Sequence, residues 1–117
     1  MVARDLLNRL KEMLGPALLR VDTPADDRIF IHVERDAIRA VCRHVFLDLG
    51  ARYVISIGAD DRPFSGQYLV AHDFAFDAAH LLGSVVTHLP EDDPRLDSIT
   101  PDVPAANWAE RELRDLV

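Results

Sequence analysis

The sequence predicts one two-layer α+β domain, in which helices cover a mixed, mostly antiparallel sheet. Three stretches carry apolar residues at helical spacing, and five runs are alternating or rich in β-branched residues, as in strands. Their predicted order is α-β-β-α-β-β-β-α. The 117 residues suit a single core, so residues 1–117 are taken as one domain.

The first half of the chain begins with an amphipathic helix from Ala3 to Leu14, which Gly15-Pro16 ends. A short strand follows in "ALLRVD", and the residues from Thr23 to Asp27 are expected to form a turn. The next run, "RIFIHVE", alternates in the manner of a strand with one buried face. Its buried residues are predicted to be Ile29, Ile31 and Val33.

The second helix is the clearest element of the pattern. Asp36 is its expected N-cap and Gly50 its stop signal. Its apolar stripe consists of Ile38, Val41, Cys42, Val45, Phe46 and Leu49.

Three strands are predicted next. "RYVISIGADD" and "QYLVAHDFAFD" form a hairpin around the turn "DDRPFSG", and "HLLGSVVTHLP" forms the third strand after a short turn at Asp77 to Ala79. Gly83 interrupts the third strand, which indicates a bulge or a close approach of another group to the backbone.

The segment from Pro90 to Pro104 changes character, with four prolines and five acidic residues. Proline at this density prevents a helix. The segment retains three apolar residues, Leu96, Ile99 and Val103, so we expect an ordered excursion that these residues hold to the core. The last helix then follows, with Asn107 as N-cap and Glu110 as its capping-box partner.

Composition excludes several classes of function. The formal net charge is −7 without a segregated basic run, so the sequence predicts no nucleic-acid partner. One cysteine, Cys42, cannot form an internal disulfide or hold a cluster, and its place on a helical stripe is typical of a buried residue. No apolar run is long enough for a membrane span. We therefore expect a soluble intracellular protein that meets a membrane only through partners.

No residue pattern predicts a catalytic or metal site. His72 and Asp73 are consecutive in a strand, so their side chains should face opposite sides of the sheet. The acidic run from Glu91 to Asp93 is flanked by prolines and suits a solvated turn better than a cation site. The remaining histidines and the serines lack a recognisable catalytic context: His32, His44, His80, His88, Ser56, Ser65, Ser84 and Ser98.

The last quarter of the chain carries a distinctive motif. It reads Ser98-Ile99-Thr100, then Pro104-Ala105-Ala106-Asn107-Trp108, then Glu110-Arg111-Glu112 and finally Asp115-Leu116. This segment resembles the hallmark segment of the thirty-kilodalton subunit of respiratory NADH dehydrogenase, the NuoC-like family. The family includes the N-terminal domain of the large subunits of energy-converting nickel–iron hydrogenases and formate hydrogenlyases.

The resemblance implies a non-catalytic structural or assembly subunit without a cofactor or metal of its own. Such a subunit would dock on the large catalytic subunit and on neighbouring peripheral-arm subunits, on the cytoplasmic face of the inner membrane. A tryptophan with paired guanidinium and carboxylate groups suits that role. The expected partner-binding residues are Asn107, Trp108, Glu110, Arg111, Glu112 and Asp115.

The sequence departs from the family pattern at two places, and two alternative functions stay open. Arg114 stands where the family usually has an aromatic residue, and the chain ends at Val117 where the family continues. We therefore expect either a domain truncated at its C-terminus or a shortened relative. The alternatives are a small stand-alone hydrolase that uses a His/Asp pair and a generic interaction adaptor unrelated to respiration.

Overall fold

A computed structural model describes the backbone of residues 3–116 and the side chains of residues 5–111. Four helices lie in this part of the chain: α1 (Ala3–Leu14), α2 (Ile38–Arg43), α3 (Arg62–Ser65) and α4 (Asn107–Leu116). The five strands are β1 (Leu18–Ala25), β2 (Arg28–Val33), β3 (Arg52–Asp60), β4 (Gln67–Phe76) and β5 (Leu81–Pro90). No helix within the described residues is long and apolar enough to cross a bilayer.

The five strands form one mixed sheet in the order β1-β2-β5-β4-β3. The β1–β2, β3–β4 and β4–β5 pairs are antiparallel, whereas β2 and β5 run parallel. The connection from β2 to β5 therefore passes through α2 and the β3–β4 hairpin. The predicted fold class is confirmed, and the observed order contains one further element, the single turn α3 inside the β3–β4 connection.

The core lies between one face of the sheet and the helices. Alternate residues of β2 point into it, and α1 and α2 contribute the predicted apolar stripes. The buried core residues of the helices and of strands β2, β4 and β5 include Leu6, Leu10, Ile29, Ile31, Val33, Ile38, Val41, Val45, Phe74 and Val85. Cys42 is buried in the same cluster, and burial raises the pKa of its thiol.

Two local predictions are wrong. The turn after β1 occupies only Asp26 and Asp27, because the edge strand β1 continues through Pro24 to Ala25. Asp36 is not a side-chain cap, since it lies inside a 3-10 turn (Arg35–Ala37) that precedes α2. The second helical region continues in a π-helical turn (His44–Asp48), and Gly50 follows its end with a φ of +68°, as predicted.

Gly83 marks a close approach and not a bulge. The β4–β5 register is continuous from Phe76↔Leu81 to Gln67↔Pro90. A Cβ atom at Gly83 would lie 2.7 Å from Cε2 of the Phe76 ring, so the glycine makes room for that buried side chain.

The proline-rich segment is ordered as predicted. Ile99 and Val103 are fully buried in the main core cluster, and Leu96 packs against it. The carbonyl of Ile99 accepts hydrogen bonds from the amides of Asp102 and Val103 at 3.1 and 2.8 Å. The segment thereby brings the chain to the start of α4 in a defined position.

Candidate functional site

The distinctive C-terminal motif forms a surface and not an enclosed pocket. Its helix, α4, packs against β3, and it follows a 3-10 turn (Pro104–Ala106) without a break. We call the exposed side chains at the start of this helix the α4 surface, which consists of Asn107, Trp108 and Arg111. The motif residues Glu112 and Asp115 have side chains outside the described residues.

Trp108 is the largest apolar group of the α4 surface, and its side chain is 73% exposed. The Arg111 guanidinium carbon lies 5.5 Å from the centre of the Trp108 ring, so the two side chains form a cation–π pair. The tryptophan therefore does not cover the core of its own domain.

The predicted capping box at the start of α4 is wrong. Asn107 has helical torsion angles, and its backbone N–H donates to the carbonyl of Pro104. The carboxylate oxygen Oε1 of Glu110 instead accepts a hydrogen bond of 2.8 Å from the backbone N–H of Ile99. The proline-rich segment and α4 are thus joined by one charge-assisted hydrogen bond.

A shallow cleft of about 370 Å³ adjoins α4. It brings together residues from the beginning and the middle of the motif, because the proline-rich segment folds back against the helix. Its lining residues are Ser98, Thr100, Pro101, Asn107, Glu110 and Arg111. The cleft borders Asn107 and Arg111 of the α4 surface.

A buried polar chain lies on the sheet face that the helices cover. The Tyr53 and Ser56 hydroxyls are 2.7 Å apart, and Ser56 Oγ lies 2.5 Å from Nδ1 of His72. Nε2 of His72 has no hydrogen-bond partner within the described structure. Burial lowers the pKa of His72 to about 4, an effect that the charges of Glu110 and Asp73 partly offset.

The geometry of the histidines and aspartates does not favour the alternative of a hydrolase that uses a His/Asp pair. His72 and Asp73 face opposite sides of the sheet, as predicted, because they pair with Ser56 and Ile55 on β3. His32 contacts Asp22 at 3.0 Å and His44 contacts Asp48 at 2.5 Å, yet no hydroxyl or thiol among the described residues bonds either imidazole. The one Ser–His pair in the described part of the chain, Ser56–His72, is buried.

The acidic turn lies near the surface, where its side chains form ion pairs. Asp93 bonds Arg95 and Arg35, and Glu91 bonds Arg62. No cluster of three potential metal ligands occurs among residues 5–111, whose side chains the structure describes. His80 lies in the turn before β5 with a φ of +52° and so does not share a strand with His88.

The sequence reasoning missed two relationships, the Ser56–His72 pair and the Ile99–Glu110 bond. The alternation of the strands places Ser56 and His72 on the inner face once the β3–β4 register is known, because the two residues are directly paired. No signal in the sequence indicated that Glu110 reaches the preceding segment.

The fold and the α4 surface together define a two-layer α+β domain whose most distinctive side chains are exposed and not gathered in a cavity. A family model described as "Respiratory-chain NADH dehydrogenase, 30 Kd subunit" matches residues 31–117, and the chain belongs to this family. The family resemblance inferred from the C-terminal motif is therefore confirmed.

Individual relatives agree with this assignment. The chain is 30% identical over 112 residues to hydrogenase-4 component G of Escherichia coli and 28% identical over 116 residues to formate hydrogenlyase subunit 5 of the same organism. The matches cover 95% and 98% of the chain but only 20% of each relative. The F(420)H(2) dehydrogenase of Methanosarcina mazei has a subunit that is 26% identical, over 99% of the chain and 73% of the relative.

Solved structures show the same fold. A trypsin-resistant fragment of Nqo5 superposes with a TM-score of 0.79 at 19% identity, covering 99% of the chain and 92% of the fragment. A chain of the membrane-bound sulfane sulfur reductase, an archaeal respiratory membrane complex, superposes with a TM-score of 0.78 at 18% identity, covering 97% and 66%.

Proposed function

We propose that this chain is a non-catalytic structural and assembly subunit, or domain, of a membrane-associated NADH:quinone oxidoreductase or related hydrogenase. It docks on the large catalytic subunit and on neighbouring peripheral-arm subunits, and the electrons pass through those partners. The family assignment supports this role, and so do relatives named as components of a hydrogenase, a formate hydrogenlyase and an F(420)H(2) dehydrogenase.

The observation that carries the proposal is the exposed Trp108 with Arg111 stacked against it. Tryptophan and arginine are the residues that most often dominate binding energy at protein interfaces. An exposed tryptophan ring contributes little to the stability of the isolated domain. Burial of the ring against a partner would remove a large apolar area from solvent. The motif that identifies the family thus includes the surface best suited to docking.

Membrane association in this proposal comes through the partner subunits on the cytoplasmic face of the inner membrane. The purified chain is expected to carry no flavin, metal or cluster. An absorption spectrum and elemental analysis check this expectation, and stoichiometric iron would contradict it.

The docking experiment uses a tagged chain expressed in its native host and captured from gently solubilised membranes. Recovery of a dehydrogenase-like or hydrogenase-like large subunit, identified by its sequence, supports the proposal. We expect Trp108→Ala to weaken binding, and so recovery, about thirtyfold, the scale of a single interface hot spot.

Phe64→Ala is the matched control, because Phe64 is an aromatic residue that is 92% exposed on α3 and lies outside the motif. Recovery should be unchanged in this variant. Capture of an unrelated partner would favour a generic adaptor. Equal loss in both variants would show that exposed aromatic area in general, and not the α4 surface, governs association.

A further inference from the structure

We infer that Glu110 is a positioning residue of the docking surface, which fastens the proline-rich segment to α4 and supports binding through Trp108 without touching the partner. This inference rests on the proposed function. It reassigns Glu110 from the partner-binding set that the sequence predicts.

The first support is the bond that Glu110 makes. Its Oε1 accepts from the backbone N–H of Ile99 at 2.8 Å, across eleven positions of the chain. Ile99 is also fixed by its buried side chain and by its carbonyl, which accepts from Val103. The carboxylate thus joins α4 to the segment that precedes it. The bond is made to Ile99, whose side chain is held in the core.

The second support is the direction in which the carboxylate faces. Glu110 is partly buried, whereas its helix neighbours Trp108 and Arg111 are exposed. Burial raises the pKa of Tyr53 on β3, and the Glu110 charge adds to that effect; on β4 the same charge opposes the lowering of the His72 pKa by burial. Glu110 therefore directs its carboxylate toward Ile99 and the sheet, whereas Trp108 and Arg111 face solvent.

The two roles make different chemical demands. If the carboxylate contacts the partner directly, its negative charge contributes to binding, and glutamine would not replace it. A carboxylate that only accepts the Ile99 N–H can be replaced by glutamine, because the amide retains a carbonyl oxygen at nearly the same place. Alanine removes the acceptor and leaves a part-buried backbone N–H without a partner.

The test measures recovery of the large subunit from solubilised membranes for four variants. These are Glu110→Ala, Glu110→Gln, Trp108→Ala and the double variant Trp108→Ala/Glu110→Ala. We expect Glu110→Ala to lose about tenfold, from the loss of a charged hydrogen bond, and Glu110→Gln to stay within about twofold of the parent chain. The double variant should be no weaker than Trp108→Ala alone, because Glu110 acts through Trp108.

A second readout needs no partner. Hydrogen exchange at the Ile99 amide should accelerate at least about tenfold in Glu110→Ala and change little in Glu110→Gln. A glutamine variant as weak as alanine, or losses that simply add in the double variant, would overturn the inference. If the unmodified chain captures no large subunit, the proposed function fails, while the exchange data still decide whether Glu110 holds the segment.

Discussion

The Ser56 hydroxyl lies 2.5 Å from Nδ1 of His72, and that imidazole is only 1% exposed. The pair joins the two strands of the β3–β4 hairpin on the covered face of the sheet. A neutral imidazole suits this position, because a charged ring would be deprived of water and its Nε2 has no partner within the described residues.

The first prediction concerns acid stability. Burial lowers the pKa of His72 from 6.5 to about 4 in the folded state, so protons bind the unfolded chain more readily. The contribution of neutral His72 to folding stability is complete above about pH 6.5 and is lost as the pH falls toward 4. The loss by pH 4.5 is on the order of 2–3 kcal/mol. Urea unfolding at pH 7.5 and 4.5 measures this loss.

His72→Asn is the comparison for the acid-stability measurement, since its amide oxygen can accept from Ser56 but does not titrate. The variant should be less stable at pH 7.5 and should show a smaller loss between the two pH values. An identical pH dependence in both proteins would mean that other groups cause the acid sensitivity.

The second prediction concerns Gly83. An added methyl group would meet Phe76 Cε2 at 2.7 Å and Ile29 Cγ1 at 3.4 Å, both inside the core. Gly83→Ala should therefore lower the free energy of unfolding by about 1–3 kcal/mol through overpacking. Denaturant unfolding measures it, and the double variant Gly83→Ala/Phe76→Leu should recover part of the loss. If the double variant recovers no stability, the contact with Phe76 is not the cause of the loss.

The third prediction separates docking from folding. Trp108→Ala should change the free energy of unfolding of the isolated chain by no more than about 0.5 kcal/mol, because the ring is exposed. Leu10→Ala, which removes a fully buried side chain, should cost about 2–5 kcal/mol. A large loss for Trp108→Ala would indicate that the ring supports the fold itself.

The fourth prediction concerns the anchoring of the proline-rich segment. Ile99 is fully buried in the main core cluster, so Ile99→Ala should cost about 2–5 kcal/mol and loosen residues 91–103. Limited proteolysis should cut that segment faster in the variant than in the parent chain. Leu47→Ala is the control, since Leu47 is exposed, and its cleavage pattern should not change.

Much of the local architecture was predictable because it depends on neighbours in the chain. The spacing of Leu6, Leu7, Leu10, Met13 and Leu14 predicted the apolar stripe of α1, of which Leu7 and Met13 are only partly buried. The alternation from Ile29 to Val33 predicted the inner face of β2. The errors occurred at element ends. Asp36 does not cap α2, and Pro24 lies within β1 and not in the following turn. Tertiary packing determines such boundaries as much as local preference does.

The candidate site was predictable in part. The motif identified α4 and led to Trp108 and Arg111, and the structure places both on the surface as a stacked pair. The sequence left open whether Trp108 packs on its own core or lies at an interface, because a tryptophan suits both places. The inward turn of Glu110 depended on where Ile99 lies in space.

The sequence by itself determined three of the four helices, the five strands and the family motif, since each depends on spacing within a short window. Only the tertiary structure decided the parallel pairing of β2 with β5, the meeting of Ser56 with His72 and the bond from Ile99 to Glu110. These contacts join residues far apart in the chain. Their formation depends on how the whole core packs, and local backbone preferences carry no information about that packing.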